Sequence, residues 1–170
     1  MDLSKYILSI PDFPRKGIVF YDITPLMANP KAYNYTISKM SELIADYNPT
    51  KIMAAESRGF FFGPAISIKL NLPFIPIRKR GKLPRQTINV SYNLEYGQDI
   101  LCVHKDDIRA GDRLVVLDDI LATGGTAEAM CKMAEEVGAD VACCAFFMEL
   151  GFLNGREKLG QRPVVSMFVK

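Results

Sequence analysis

Two adjacent carboxylates, Asp118 and Asp119, stand where an apolar run ends and a glycine-containing loop begins. The run at residues 115–117 consists of Val, Val and Leu, which favour a strand. Residues 128–137 are rich in Ala, Glu and Met, which favour a helix. The loop between the acids and this helix contains Ala122, Thr123, Gly124, Gly125 and Thr126. This order predicts a strand, an acidic corner, a glycine loop and a helix start.

The glycine loop and the two acids suit different parts of one ligand. Glycines let a ligand approach the main chain, and a helix start offers unpaired N–H groups and a positive dipole end, which together cradle a phosphate. Carboxylates accept hydrogen bonds from vicinal hydroxyls such as those of ribose. A ribose 5-phosphate would satisfy both. A nucleotide-triphosphatase loop would need a lysine before Thr126, which is absent, and the remaining alternative is a plain acidic turn.

Composition favours a cytoplasmic enzyme or binding protein. The 170 residues fit one domain, 1–170, and the net charge of +2 gives no general surface for a polyanion. The four cysteines lack metal-type spacing, so we expect reduced thiols, and the lone histidine, His104, is expected to be structural or exposed. No basic, apolar leader and no run of 18 apolar residues occurs.

The pattern of apolar residues predicts an α/β protein with a mainly parallel central sheet flanked by helices. Strands are predicted near residues 51–55, 73–78, 113–118, 141–148 and 164–169, with helices at 30–47, 60–70 and 128–137. Ligands bind at the carboxyl ends of such strands. Residues 2–10 show helical spacing, residues 11–25 predict an extended loop, and residues 85–99 predict a mobile hairpin outside the core.

Several further stretches accompany the acidic corner. They are Pro11-Asp12-Phe13-Pro14 with Gly17 and Phe20, Ser57-Arg58-Gly59-Phe60, Arg78-Lys79-Arg80-Gly81-Lys82-Leu83-Pro84 and Ser91-Tyr92-Asn93-Leu94-Glu95-Tyr96-Gly97. In this combination the chain resembles the type I phosphoribosyltransferase family over nearly its whole length, and its adenine-specific members in particular. The acidic corner with its loop is shared by many members, whereas the combination is more specific.

The resemblance implies a fold, a reaction and partners. It implies a type I phosphoribosyltransferase fold with an N-terminal hood, residues 1–30, and a flexible catalytic loop, residues 79–100. The implied purine-salvage reaction transfers 5-phosphoribosyl from phosphoribosyl pyrophosphate to N9 of adenine, giving AMP and pyrophosphate. Mg²⁺ would be the cofactor, held mainly by the substrate's pyrophosphate and ribose rather than by protein ligands. A homodimer is expected, without nucleic acid or membrane partners.

The resemblance also assigns roles to residues. Glu95, Tyr96 and Arg58 would be catalytic. The implied substrate-binding residues are Asp118, Asp119, Ala122, Thr123, Gly124, Gly125, Thr126, Glu56, Ser57, Arg78, Lys82, Val19, Phe20, Tyr21 and Ile120. Tyr21 departs from the family pattern, which commonly has arginine at this position: a phenol offers a single donor-acceptor group where arginine offers a charged fork. From the residues alone, Arg58, Glu95 and the basic run at 78–82 would be solvated surface groups.

Two other functions stay open at this point. One is a sister phosphoribosyltransferase for hypoxanthine, guanine or a pyrimidine, because these enzymes share the acidic corner and its loop. The other is a non-catalytic regulator that senses phosphoribosyl pyrophosphate and binds nucleic acid, which would call for an added DNA-binding module or a strongly basic face.

Overall fold

The structure of the protein is a computed structural model that describes residues 1–93 and 98–170. Its helices are α1 (Thr24–Ala28), α2 (Pro30–Ala45), α3 (Gly63–Leu70) and α4 (Gly125–Glu136). Its strands are β1 (Leu8–Pro11), β2 (Val19–Asp22), β3 (Lys51–Ala55), β4 (Phe74–Lys79), β5 (Thr87–Asn93), β6 (Gln98–His104), β7 (Arg113–Leu121), β8 (Asp140–Glu149) and β9 (Val164–Val169). Short 3-10 turns span Ser4–Tyr6, Arg58–Phe61, Gly151–Leu153 and Gly155–Leu159.

The main sheet has seven strands in the order β5-β6-β4-β3-β7-β8-β9. Strands β4, β3, β7, β8 and β9 pair in parallel, whereas β6 pairs antiparallel with both β4 and β5. Each parallel strand begins and ends within a few residues of the strand that was predicted for it. The α/β class and the mainly parallel sheet are therefore confirmed.

Apolar side chains fill both faces of the parallel strands. Alternate residues of a strand point to opposite faces, so Cys143 packs into one buried cluster and Cys144 into the other. Strands covered on both faces read as continuous apolar runs, which is why residues 141–148 were recognisable in the sequence. All four cysteines are buried and free, as expected of reduced core thiols.

The helices begin where the sequence provides caps and first-turn prolines. Asn29 accepts a 3.0 Å hydrogen bond from the Ala32 amide, and Pro30 occupies the first turn of α2. Helix α4 begins at Gly125, three residues before the predicted start at Glu128, because Gly124 adopts a left-handed backbone with φ of 80° at its cap. In the part of the chain that is described, no helix is long and apolar enough to cross a bilayer.

The N-terminal segment differs from the helix predicted for residues 2–10. A single 3-10 turn forms at Ser4–Tyr6, and β1 (Leu8–Pro11) then pairs antiparallel with β2 (Val19–Asp22) in a separate two-stranded sheet. Pairing with β2 supplies the backbone partners that a helix would otherwise provide, so the tertiary contact overrides the local spacing. The same pairing makes part of the predicted extended loop a strand.

The β5–β6 hairpin also differs in part from its prediction. The antiparallel hairpin is present, but it joins the edge of the main sheet through β6 and β4. Val90 and Leu101 are buried in the core beside helix α4. Strand β5 therefore contributes to the core through Val90, because every second side chain of an edge strand still faces the sheet's packed layer. His104, at the end of β6, is likewise buried.

Candidate active site

A cleft of about 340 Å³ lies at the carboxyl ends of β3 and β7, which are neighbours in the sheet. We call it the acidic cleft. Its lining residues are Glu56, Ser57, Arg58, Tyr92, Leu101, Asp118, Asp119, Ile120 and Thr126. Seven of the predicted site residues thus meet in one cavity, although they come from two distant stretches of the chain, residues 56–58 and 118–126. Parallel strands bring their carboxyl ends to the same edge, and this explains the convergence.

The two acids near the end of β7 differ in how much of each side chain is exposed. Asp119 is buried, and its amide donates a 2.9 Å hydrogen bond to Oδ1 of Asp118. Asp118 is half-buried, and Gly59 packs so closely on it that a Cβ there would lie 3.1 Å from Asp118 Oδ1. The acidic pair is therefore held by its own backbone and by the turn that follows β3.

The environment makes ionisation of the acidic pair costly. Burial raises the pKa of Asp118 well above its usual range, and repulsion from Asp119 raises it further. Burial also raises the pKa of Asp119, but the nearby Arg58 guanidinium opposes this shift. A positively charged group entering the cleft would relieve the same penalty.

Asp118→Asn is expected to raise the melting temperature at about pH 7 by about 2–4 °C for each kcal/mol of relieved penalty. Because the folded pKa lies above the reference value of 3.8, the folded state binds more protons than the unfolded state between these two values. Unfolding free energy therefore falls as the pH rises through that window, and the asparagine lacks this loss. The gain should shrink toward about pH 4, as scanning calorimetry would measure. An equal gain at both pH values, or the same gain in the exposed Asp106→Asn, would contradict the assignment.

Arg58 connects the acidic pair to the N-terminal sheet. Its Nε lies 2.9 Å from Oδ2 of Asp119, and its guanidinium carbon lies 5.0 Å from the centre of the Phe20 ring. The charges are close, but the N–H is not aligned with the oxygen: within the described chain, Arg58 Nη1 and Asp119 Oδ2 are buried without hydrogen-bond partners. Both atoms thus have hydrogen-bonding capacity that the described residues do not use.

The glycine loop closes the other side of the cleft. A helix leaves its first N–H groups without internal acceptors, and those of α4 begin at Gly125. Gly155, from a distant 3-10 turn, packs directly against this loop: a Cβ on Gly155 would lie 2.2 Å from the Ala122 carbonyl oxygen, and one on Gly124 would lie 2.4 Å from that of Gly155. Loop and turn therefore fit only because both positions lack side chains.

Glu56 organises the basic segment after β4. Its carboxylate accepts a 2.8 Å hydrogen bond from Arg78 Nε and a short one from the Lys79 amide. Burial alone would raise the pKa of Glu56, but these bonds and the charges of Arg78 and Lys82 lower it overall. Glu56 thus holds the basic segment beside the cleft. Lys82 itself is exposed.

The predicted base-binding residues lie on β2. Phe20 meets Arg58 and also packs edge-on against Phe13, with ring centres 5.2 Å apart. Val19 is exposed, and Tyr21 packs against the core, with Lys170 Nζ 5.1 Å from its ring centre. Because neighbouring strand residues face opposite ways, Tyr21 and Phe20 face different surroundings. Phe20 is beside the acidic cleft through its contact with Arg58, and none of the three residues is among those that line it.

Two predicted catalytic residues, Glu95 and Tyr96, lie outside the described residues. The structure adds three residues that sequence reasoning did not select: Tyr92 and Leu101 in the cleft, and Gly155 behind the loop. Tyr92 belongs to a motif that was recognised, but its type and position gave no separate signal. Gly155 lies far along the chain from the loop at residues 122–126, and no local sequence pattern indicates that the two are in contact.

The cleft suits a metal ion that arrives with its own ligands. In residues 1–93 and 98–170, no group of three or more histidine, cysteine, aspartate or glutamate side chains could hold a metal ion. Of the carboxylates in the cleft, Glu56 is already bonded to Arg78, whereas Asp118 and Asp119 offer oxygen atoms, which Mg²⁺ prefers. Asp118 and Asp119 are thus chemically able to help hold Mg²⁺, and a substrate as the source of its other ligands stays a prediction.

Comparison with known proteins extends over nearly the whole chain. The family model described as "Phosphoribosyl transferase domain" matches residues 23–168. The adenine phosphoribosyltransferase of Carboxydothermus hydrogenoformans is 50% identical over 167 residues, covering 98% of both proteins.

Solved structures show the same similarity in three dimensions. The crystal structure of adenine phosphoribosyltransferase from Thermoanaerobacter pseudethanolicus matches with a TM-score of 0.96 and 43% identity, covering 99% of this chain and 98% of the other. The Saccharomyces cerevisiae enzyme, complexed with adenine and an imino-altritol bisphosphate, matches with a TM-score of 0.90 and 38% identity, covering 96% and 95%.

Proposed function

The chain belongs to the phosphoribosyltransferase family, and we propose from this premise that it is an adenine-specific member acting in purine salvage. The reaction transfers 5-phosphoribosyl from phosphoribosyl pyrophosphate to N9 of adenine and yields AMP and pyrophosphate. The observation that carries the proposal is the acidic pair in one cleft with Arg58 and with Thr126 at the start of α4. This cleft offers acceptors for sugar hydroxyls beside donors for a phosphate.

The sugar phosphate is bound by two elements that adjoin in the chain. Main-chain amides of residues 122–126 donate to the 5-phosphate, and the first turn of α4 favours its negative charge. Asp118 and Asp119 accept hydrogen bonds from the ribose hydroxyls. Since the acids lie near the end of β7 and the loop follows that strand directly, one strand end fixes the distance between the two subsites.

The same acids favour the charge that develops during transfer. Bond breaking at the anomeric carbon produces an oxocarbenium-like transition state, as in glycoside hydrolysis. The pKa of both carboxyl groups is raised by burial, so their negative charges are poorly solvated. A developing positive charge on the sugar offsets this cost in the transition state more than in the ground state, which lowers the barrier.

Basic residues stabilise the departing pyrophosphate. Arg58 lines the cleft, and Glu56 holds Arg78 beside it; we assign both to the pyrophosphate, together with the exposed Lys82 and the backbone around Ser57. Bound Mg²⁺ supplies additional positive charge that neutralises the leaving group. Asp118 and Asp119 would be the carboxylates that help hold such an ion.

Adenine enters from the side of the N-terminal sheet. Ile120 lines the cleft, and Phe20 packs against Arg58 beside it, so the flat faces of the base have apolar partners there. We assign Val19, Phe20, Tyr21 and Ile120 to the base, Glu95 to proton movement at the purine and Tyr96 to closing the site. Burial of the base excludes water that would otherwise intercept the sugar.

We also propose a homodimer, which sedimentation analysis would test.

The decisive experiment mixes purified protein with adenine, phosphoribosyl pyrophosphate and Mg²⁺ and detects AMP and pyrophosphate. Parallel reactions replace adenine with hypoxanthine, guanine or uracil, and one omits Mg²⁺. We expect AMP from the adenine reaction and little product from the others. Product from another base but not from adenine would make the protein a sister transferase. Binding of phosphoribosyl pyrophosphate without any product would identify a sensor.

A further inference from the structure

Glu149 is a buried acid beside the loop at residues 122–126, to which the 5-phosphate is assigned and which we call the phosphate loop. It is the last residue of β8 and is only 5% exposed. In the sheet it pairs with Leu121, the last residue of β7, and the next amide, that of Leu150, donates a 2.9 Å hydrogen bond to the Leu121 carbonyl oxygen. Glu149 is therefore fixed where the phosphate loop begins.

Arg156, from the 3-10 turn at Gly155–Leu159, binds this acid with two hydrogen bonds. Its Nε donates a 2.6 Å bond to Oε1 of Glu149, and its Nη2 donates a 2.8 Å bond to Oε2. Ser166 Oγ donates a further 2.9 Å bond to Oε2. The bonds from Arg156 lower the pKa of Glu149, although burial alone would raise it, so the acid is ionised at neutral pH.

The residue before Arg156 packs directly on the phosphate loop. Gly155 is buried, and a Cβ on it would lie 2.2 Å from the Ala122 carbonyl oxygen and 3.1 Å from the Gly124 nitrogen. Because consecutive residues are joined by a planar peptide unit of fixed length, a carboxylate that holds Arg156 also sets how closely Gly155 approaches the loop.

The turn thus has two different attachments to the fold. At its far end Leu159 is fully buried in the core cluster that includes residues of α4, but apolar burial is non-directional. The paired bonds between Arg156 and Glu149 are directional, so they fix the position and the orientation of the turn where it meets the loop. Such precision matters at a binding loop, since a misplacement of about 1 Å can cost about 100-fold in activity.

We propose that Glu149 and Arg156 are positioning residues that hold Gly155 against the phosphate loop and so preset the loop amides for the 5-phosphate. This inference rests on the proposed function, which assigns the phosphate to that loop. Neither residue is among those that line the acidic cleft. Their effect is therefore expected in the binding of the sugar phosphate rather than in the binding of pyrophosphate or adenine.

Arg156→Met tests this role, because it removes the guanidinium and keeps an unbranched side chain. We expect the KM for phosphoribosyl pyrophosphate to rise about fivefold, a fraction of what a full misplacement of the loop would cost. The KM for adenine should change less than about twofold. Arg113→Met is the matched control: Arg113 is also exposed and donates to the carbonyl oxygens of Asn48 and Tyr47, but at the amino-terminal edge of the sheet. It should leave both KM values within about twofold of wild type.

Two further variants separate positioning from general stability. A buried acid that loses its partner destabilises a fold, whereas Glu149→Gln combined with Arg156→Met leaves no unpaired charge. This double variant should show the same rise of about fivefold in the KM for phosphoribosyl pyrophosphate. Arg156→Lys restores the charge but not the two-pronged geometry, so it should recover the melting temperature more fully than the KM. A KM fully restored by lysine would contradict positioning by the paired bonds.

Binding measurements without turnover separate this inference from the proposed function. Calorimetry should show that the dissociation constant for ribose 5-phosphate rises about fivefold in Arg156→Met and in the double variant, whereas that for pyrophosphate with Mg²⁺ changes less than about twofold. Equal losses for the two ligands, or unchanged binding of ribose 5-phosphate, would overturn the positioning role. A wild-type protein that binds ribose 5-phosphate but shows no turnover would instead count against the proposed function.

Discussion

The double variant Asp118→Asn with Asp119→Asn is expected to remain folded and to lose at least tenfold in turnover. Tenfold corresponds to about 1.4 kcal/mol of transition-state stabilisation, and loss of two charges beside the anomeric carbon should exceed it. The variant should remain folded, because burial raises the pKa of both carboxyl groups and their removal relieves that cost, which offsets the lost attraction between Asp119 and the partly exposed Arg58. Steady-state kinetics and calorimetry on the same preparations measure both effects.

The matched control for this variant is Asp106→Asn with Asp107→Asn. These acids are also adjacent, but they precede β7 at the amino-terminal edge of the sheet, where Asp107 pairs with Arg85 at the surface. We expect the control to retain near wild-type turnover. Full turnover in the variant at 118 and 119, or an equal loss in the control, would remove the acidic pair from the mechanism.

Gly155→Ala is expected to lower kcat/KM for phosphoribosyl pyrophosphate at least tenfold, or about 1.4 kcal/mol. The added Cβ would lie 2.2 Å from the Ala122 carbonyl oxygen and 3.1 Å from the Gly124 nitrogen. Both are backbone atoms of the phosphate loop, so the clash has to be relieved by moving the loop or the turn. Overpacking of this kind also costs about 1–3 kcal/mol of stability. The KM for adenine should change least, because the base lies on the other side of the acidic pair.

Gly151→Ala provides a control for the chemistry of the substitution. Its Cβ would meet the Lys170 carbonyl oxygen and Val169 Cγ1 at 3.3 Å, a tighter than usual contact that does not involve the phosphate loop. Kinetics should be measured well below the melting temperature of each variant, with circular dichroism to confirm folding. If Gly155→Ala binds phosphoribosyl pyrophosphate like the wild type, the loop does not depend on this packing.

Some side-chain contacts explain why single residues in this site act on more than one element. Arg58 is near Asp119 on β7 and against Phe20 on β2, and Glu56 binds two consecutive residues at the end of β4. Each contact joins stretches that are 22 or more residues apart in sequence. Mutational effects at such positions are therefore not expected to be additive.

The sequence by itself determined the parts of this protein whose signal is local. Strands buried on both faces appear as continuous apolar runs, Asn29 and Pro30 mark a helix start, and the acids with their glycine loop are contiguous in the chain. The class of sheet, its parallel strands and the position of the acidic cleft at their carboxyl ends follow from these local patterns. The family resemblance followed from the same contiguous motifs.

Only the tertiary structure decided which distant groups meet. Residues 2–10 have helical spacing, yet pairing with β2 draws their second half into a strand, because a strand partner satisfies the same backbone groups. The hairpin becomes part of the main sheet because β6 pairs antiparallel with β4, at the edge of the parallel strands. Tyr92 reaches the acidic cleft, and Gly155 reaches the glycine loop, only because distant elements pack together. The spacing of residues along the chain does not encode a contact whose partner lies on another element.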